Sequence, residues 1–351
     1  MARFHFNYIG RKYLWFGISG AIILLGVIAI MMGGLKFGVE FQGGNQYNVV
    51  FKKAPAVEQI RESLKPYKQE GSTIQPVGSG KEFMIRTPRL AVAEQTKIKN
   101  ALKEDFDVKD ISMRDIGPGW GQQVTDGAIK ALIASLIVIL LYISVRFEFR
   151  MAIAVIVALI HDGLIVVGVY SLMGLIETKA GLTFIPTEVT PNTVAALLTI
   201  LGFSLYDTIV VFHRIKENTE VIGKRTYSMM ANDSINQVIM RSVNTSLTEL
   251  VPVIALLFFG GETLKDFGFA MLVGLISGVY SSIFIASPVL AMLKEMEPRY
   301  RMLREKLAAT GQFAAKTKEK QAPAETPVVA PASVPSAAQK AKKKAKKKKR
   351  R

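Results

Sequence analysis

The chain has 351 residues, half of them hydrophobic, and the apolar residues gather in long runs of the length that separates a membrane span from a buried core element. It contains no cysteine, which excludes a disulfide framework, thiolate catalysis and thiolate metal ligands, and its three histidines (His5, His161, His213) are too scattered for a metal cluster. Of the formal charge of +17, ten positive charges lie in Lys340 to Arg351, leaving about +7 for the rest, an excess common in membrane proteins whose loops face an anionic leaflet.

The first predicted span, Tyr13 to Leu35, is free of charge and preceded by Arg3, Arg11 and Lys12. It exceeds the apolar core of a signal peptide, and no small-residue cleavage site follows it. Between it and the next apolar run lies a segment long enough to fold. Asn45 to Lys52 alternates as a strand; Val57, Ile60, Leu64 and Tyr67 fall at helical spacing. Ser72 to Val77 and Glu82 to Arg86 are short β-rich runs around Gly78-Ser79-Gly80, a hairpin signal. Val92 to Phe106 reads as a second helix and Val108 to Ile116 as a last strand. The order β-α-β-β-α-β predicts a ferredoxin-like α+β domain. Gly43-Gly44 lacks a phosphate-loop context and reads as a tight turn at the membrane exit.

Five more spans follow. They cover Ala131 to Val145 (with a start as early as Val124), Met151 to Ile176, about Thr193 to Phe212, Val243 to Phe259 and about Phe267 to Leu293. Arg146 and Arg150 lie between spans two and three, and Arg214, Lys216, Lys224, Arg225 and Arg241 between four and five; the opposite short loops offer Lys179 and Lys265. Positive loops stay in the cytoplasm, so both termini are expected there and the α+β segment outside. The expected division is a cytoplasmic N-terminus (1–12), transmembrane helix 1 (13–35), the extracytoplasmic domain (36–126), a five-helix transmembrane bundle (127–298) and a cytoplasmic, largely disordered basic tail (299–351). From about Gly311 the tail is too rich in Ala, Pro and Lys to bury a core. It is suited to anionic lipid or to ribosomal RNA, or else is a solvated run with no specific partner.

No Walker loop, dinucleotide fingerprint, nucleophile elbow or metal-ligand spacing occurs, so an enzyme has no residues to stand on and no cofactor is implied. The informative groups are ionisable residues within apolar runs, which cost roughly 2.5–3.5 kcal/mol at a helix centre and face an interior or a water path. Asp207 has no other charge between Leu201 and Phe212. Desolvation disfavours its charged form, which suits a group that takes up and releases a proton; the alternative is a hydrogen bond to a neighbouring helix. Arg241, Asn244, Thr245 and Thr248 fall at spacings of three, four and seven and are expected to form one polar face turned into the bundle, with Arg241 either the partner of Asp207 or a snorkelling arginine. His161-Asp162 sits mid-span, either in a relay or in packing, its side chains about 100° apart. Ala270, Gly274, Gly278, Ser282 and Ala286 recur every four residues, a small-residue stripe for close helix approach.

Four segments in order resemble the SecD/SecF family of protein-export membrane proteins, within the resistance-nodulation-division superfamily. They are Phe37-Gly-Val-Glu-Phe-Gln-Gly-Gly44, Ala158-Leu-Ile-His-Asp162, Phe203-Ser-Leu-Tyr-Asp-Thr-Ile-Val-Val-Phe-His-Arg-Ile-Lys-Glu-Asn218, and Ser234-Ile-Asn-Gln with Arg241-Ser-Val-Asn-Thr-Ser-Leu-Thr248. The resemblance runs from about Tyr13 to Pro298 and is closest to the SecF branch. It implies a SecD partner, association with the SecYEG translocon and a translocating preprotein in the cytoplasmic membrane, and use of the proton-motive force, with Asp207 and Arg241 on the proton path. No specific nucleic-acid partner is expected, beyond a contact of the basic tail with the ribosome. The chain departs from the family at Tyr206 (usually Asn), His213 (usually Asp), and Glu40 and Gln42 (usually Asp and Thr). Two other functions fit the composition: a structural scaffold of the translocon, and a small-molecule exporter of the same superfamily, which would need a larger outside domain.

Overall fold

The computed structural model describes residues 5–69, 72–77, 80–180, 188–260 and 262–309. The hairpin turn expected at residues 78–79 and the basic tail beyond 309 lie outside them. Within lipid every backbone group must be satisfied inside its own helix, and six helical stretches are long and apolar enough to cross. They are α1 (Lys12–Met31), α5 (Pro118–Arg146), α6 (Phe149–Ala180), α7 (Pro191–Glu220), α8 (Tyr227–Phe259) and α9 (Glu262–Ser281), the last running through a π-helical turn, Ser282–Ala286, into α10 (Ser287–Glu295). Helix α11 (Pro298–Ala309) follows; the first compact unit of the chain ends within it, at Arg304.

The segment between α1 and α5 holds β1 (Lys36–Phe37), α2 (Val39–Gln42), β2 (Gly44–Phe51), α3 (Val57–Leu64), β3 (Thr73–Val77), β4 (Glu82–Thr87), α4 (Val92–Asp105) and β5 (Val108–Ile116). From β2 onward this is the predicted order of strands and helices. The sheet order is β3-β4-β2-β5, all neighbours antiparallel, with Tyr47 opposite Ile85 on one side and Met113 on the other. Alternation places Tyr47, Val49 and Phe51 of β2 on one face. There they meet Ile60 and Leu64 of α3, Ile98 and Leu102 of α4, and Ile74, Phe83 and Ile85 of the neighbouring strands. The Phe51 ring meets Phe83 and Phe106 edge-on, both at 5.5 Å. Gly43, at φ 76°, ends α2 in the left-handed region that glycine enters without strain, so the predicted turn is present but follows a short helix.

Two residues after the undescribed stretch, Glu188–Val189 (β6), pair in parallel with β1, and the Gly38 amide donates to the Val189 carbonyl at 2.9 Å. Arg86 of β4 donates to the Glu188 carboxylate at 2.5 Å, both side chains buried. Burial works against the Arg86 charge, but the carboxylates of Glu188, Glu40 and Asp266 outweigh it and push its pKa above the ordinary arginine value. The α/β domain is thus tied to the chain immediately before α7. That helix opens on Thr190, whose backbone amide donates to the Thr193 hydroxyl (3.1 Å) while Thr193 returns its amide to the Thr190 hydroxyl (3.4 Å), and Pro191 takes the first turn.

Within the bundle, α1 crosses α6 where Gly26 faces Gly168: a Cβ on Gly26 would lie 2.6 Å from the Gly168 Cα. Helix α9 packs on α7 through the predicted small residues; a Cβ on Gly278 would come within 3.0 Å of Ser204, and one on Gly274 would strike Ile200. Helix α8 begins sixteen residues before the Val243 expected from hydropathy. Its first turns are polar, and the N-terminal segment satisfies them. Asn232 accepts from the Tyr8 amide (2.7 Å), Asn236 accepts from the Phe6 amide (2.8 Å), and His5 meets Asp233 at 2.7 Å. The helix therefore persists where no lipid is needed to explain it.

Candidate functional site

The ionisable groups singled out in the sequence occupy α6, α7 and α8. Asp207 of α7 is buried, 7% exposed, and its hydrogen bond is a long one: the Ser246 hydroxyl of α8 donates to it at 3.4 Å. Arg241 is exposed, and among the described residues no hydrogen bond or ion pair joins it to Asp207. Asn244 and Thr248 are exposed as well, and Thr245 is half-buried. The hydroxyls of Thr245 and Thr248 donate to the helix's own carbonyls, of Arg241 (2.9 Å) and Thr245 (2.6 Å).

The expected inward stripe is therefore displaced by one residue. The face of α8 that enters the bundle carries Ser242 and Ser246, both buried. One residue is about 100° of rotation, and the small serines are what let α8 close on α7. Arg241, Asn244 and Thr248 look away from the bundle, and the half-buried Thr245 lies at its edge, next in sequence to Ser246. Tyr206, one of the departures noted above, is 51% exposed and takes no part in the buried contacts of Asp207. His213 is exposed and pairs with Glu217 at 3.4 Å.

His161 and Asp162 organise a second, deeper cluster. Asp162 has no exposed surface. One of its oxygens accepts from Ser204 of α7 (2.6 Å) and Ser281 of α9 (2.8 Å); the other accepts from Ser277 of α9 (2.6 Å) and lies 3.1 Å from His161 Nδ1. The 100° between the two side chains sends Asp162 toward α7 and α9 and His161 toward α1, where its Nε2 lies 3.0 Å from the Ser19 hydroxyl. Ser19 donates to Tyr280 (3.2 Å), whose ring stacks on the imidazole and whose hydroxyl donates to the Trp15 carbonyl (3.0 Å). Ser19, Ser204, Ser277, Ser281 and Tyr280 were not singled out from the sequence. The available signal was the serine density of 277–287 inside an apolar run; Ser277 and Ser281 sit one helical position off the small-residue stripe.

Comparison with known proteins bears on this arrangement. Residues 96–296 match the family described as "Protein export membrane protein SecD/SecF, C-terminal". The chain is similar to the protein translocase subunit SecF of Streptomyces coelicolor, with 37% identity over 91% of this chain and 85% of that one. It is also similar to the subunit of the same name in Thermodesulfovibrio yellowstonii, with 36% identity over 84% of this chain and 96% of that one. Among solved structures it resembles SecDF of Thermus thermophilus, described as a translocon-associated membrane protein. The TM-score is 0.72 at 32% identity, covering 83% of this chain and 39% of that one. The chain thus spans about two-fifths of that SecDF polypeptide.

Proposed function

The chain belongs to the SecD/SecF family of protein-export membrane proteins, and on that premise we propose that it is an accessory subunit of the Sec translocase that draws on the proton-motive force. It is a multi-pass protein of the inner membrane. Both termini lie in the cytoplasm and the α/β domain lies outside, as the basic loops at Arg146, Arg150 and Arg214 to Arg241 direct. Its partners are a SecD subunit, the SecYEG channel, the translocating preprotein and membrane lipid; its work is mechanical and needs no cofactor.

The observation that carries this reading is Asp207, a buried carboxylate in mid-helix beside an exposed polar stripe. Among the described residues its hydroxyl contact, with Ser246, is long, so the carboxylate is weakly held and free to change partner as it gains or loses a proton. The exposed Arg241, Asn244 and Thr248 are costly against lipid and acceptable against a helix of a partner. SecD is that partner, and with it in place Arg241, Thr245 and Thr248 line the proton path along α8, beside the face that carries Ser246. A charge crossing the membrane potential yields about 2.3 kcal/mol per 100 mV. Helix α7 connects directly to β6, and β6 to Arg86, so a shift of α7 reaches the α/β domain through buried contacts.

The test is export of a reporter protein into membrane vesicles with and without an imposed gradient. Asp207→Asn keeps shape and hydrogen bonding, leaves the protein assembled and abolishes the gradient-driven gain. Arg241→Met does the same, and the double variant is no worse than either, because both serve one step. Leu205→Met, in the same helix, is nearly silent. Full gradient-driven export in Asp207→Asn refutes the proton path and leaves the scaffold role. A small-molecule exporter is disfavoured by the size of the segment between α1 and α5, which is small for a substrate porter.

A further inference from the structure

The path above uses Asp207 and leaves the deeper carboxylate without a role. Asp162 fills its acceptor sites with three serine hydroxyls and one imidazole nitrogen. Of these only the imidazole can carry a positive charge. Among the described residues no lysine or arginine is hydrogen-bonded to or ion-paired with Asp162 or His161. The titratable group facing the pair from α9 is Tyr280; α1 brings Ser19, and Asp207 of α7 turns to α8 instead. An uncompensated charge in a membrane bundle is expensive, and His161 is the group in contact with Asp162 that can hold a compensating proton.

The hydrogen bonds around the pair run in a direction. From His161 they pass to Ser19, then to Tyr280, then to the Trp15 carbonyl, three residues inside the start of α1. At 1.5 Å per residue Trp15 lies about 5 Å from that helix end, and Ser19 roughly 10 Å. On the other side Asp162 meets Ser204, one turn before Asp207, and the Ser204 carbonyl accepts from Thr208, next in sequence to Asp207. The hydrogen-bonded chain therefore runs from Asp162, whose partner Ser204 lies one turn of α7 from Asp207, toward the end of α1 that carries Trp15.

We propose that His161 and Asp162 form a second proton-holding site, in series with Asp207, which hands protons to the cytoplasmic side through Ser19 and Tyr280. His161 gives its Nε2 proton to the Ser19 oxygen as Ser19 passes its own hydroxyl proton to Tyr280 and Tyr280 releases its proton to cytoplasmic water. A proton that enters from the α7 side then binds Asp162 and makes the pair neutral again, and a turn of the imidazole that exchanges its two nitrogens brings a proton back to face Ser19. One proton enters and one leaves, and only O–H and N–H bonds change. Oriented serines on two other helices hold the carboxylate toward α7 and α9, while the stacked Tyr280 ring fixes the imidazole toward Ser19. This inference rests on the proton-driven function and on cytoplasmic termini.

The experiment compares Asp207→Asn, Asp162→Asn, His161→Gln and Tyr280→Phe in vesicles carrying the assembled complex, measuring gradient-driven export across a range of pH. Asp162→Asn and His161→Gln should lose gradient-driven export by about a hundredfold or more, the scale of a lost acid–base group. Tyr280→Phe keeps the ring and its stacking and removes only the hydroxyl, so it should slow gradient-driven export and displace its pH profile in a complex that assembles normally. If Asp162→Asn fails to accumulate, Tyr280→Phe decides. A wild-type rate and pH profile in Tyr280→Phe overturns the proposal, as does full gradient-driven export in Asp162→Asn. If Asp207→Asn loses the gradient effect while the other three keep it, the second site fails and the proton-driven function stands. If Asp207→Asn also keeps it, the function itself fails.

Discussion

Replacing Arg86 by methionine tests whether the α/β domain is held by charge. The guanidinium donates to Glu188 at 2.5 Å, with the two side chains 9% and 7% exposed, and Glu40 and Asp266 add their negative potential. Methionine fills much of the volume but removes the cation bonded to the buried Glu188 carboxylate, and removing one partner of a buried pair costs about 3–5 kcal/mol. Glu188→Gln leaves the guanidinium with Glu40 and Asp266 and costs less, about 1.5–3 kcal/mol for the charged hydrogen bond. The double variant costs less than the sum of the two. The reporter is the Gly38 amide, which bonds to the Val189 carbonyl across β1 and β6. Its hydrogen exchange in detergent micelles should quicken roughly 10²- to 10³-fold in Arg86→Met, at 1.4 kcal/mol per factor of ten. Exchange within about tenfold of wild type, or an equal effect from the two single variants, would refute the claim that this arginine holds the domain through all three carboxylates.

Three other outcomes follow from contacts described above or from exposure. Gly26→Leu drives a side chain into the Gly168 backbone and should separate α1 from α6 at about 1–3 kcal/mol, read as a lower thermal midpoint, whereas Gly17→Leu, with open space at its Cβ, should not. Tyr47 is buried, its hydroxyl has no hydrogen-bond partner among the described residues, and burial, with Asp115 adding, pushes its pKa up to about 12 from the usual 10.0. The fold favours the neutral phenol, so this stability is whole below pH 10 and is lost as pH rises through about 12. Tyr47→Phe should abolish that alkaline loss in thermal unfolding and be neutral or stabilising by about 1 kcal/mol. A cysteine at Val92, which is 73% exposed, should react with an impermeant thiol reagent added outside intact cells, and one at Val221, 78% exposed, only after permeabilisation; the reverse pattern would invert the orientation.

The spans and the α/β order were legible because each depends on local pattern: uninterrupted apolar length for the helices, and alternation or helical spacing for Asn45 to Ile116. What the sequence hid depends on distance and on size. Nothing in Lys36–Phe37 or Glu188–Val189 marks two residues as a parallel pair, and Arg86 reads as the polar end of a strand. The face of α8 was misplaced by one residue because polarity alone ranks Arg241, Asn244 and Thr245 above Ser242 and Ser246. Close packing ranks them the other way, since only the serines fit against α7. His161-Asp162 was visible as an anomaly in an apolar run, but its partners come from α1, α7 and α9, and no local spacing connects them.

The tie between Arg86 and Glu188 has a consequence for synthesis. The two residues are 102 apart in the chain, and α4, β5, α5 and α6 are made between them. At 5–20 residues per second, Arg86 leaves the ribosome roughly 5–20 s before its carboxylate does. Through that interval the α/β domain has its own core and its contact between α2 and the start of α5, but not the buried ion pair, and its cationic edge stays hydrated. Docking is then the last event in the birth of this half of the molecule, and it happens only if two further helices have already been threaded into the bilayer. A nascent chain whose third span fails to insert leaves the domain loose, with a charged arginine where a buried contact should be. The joint between Arg86 and the chain before α7 thereby serves as a checkpoint on assembly.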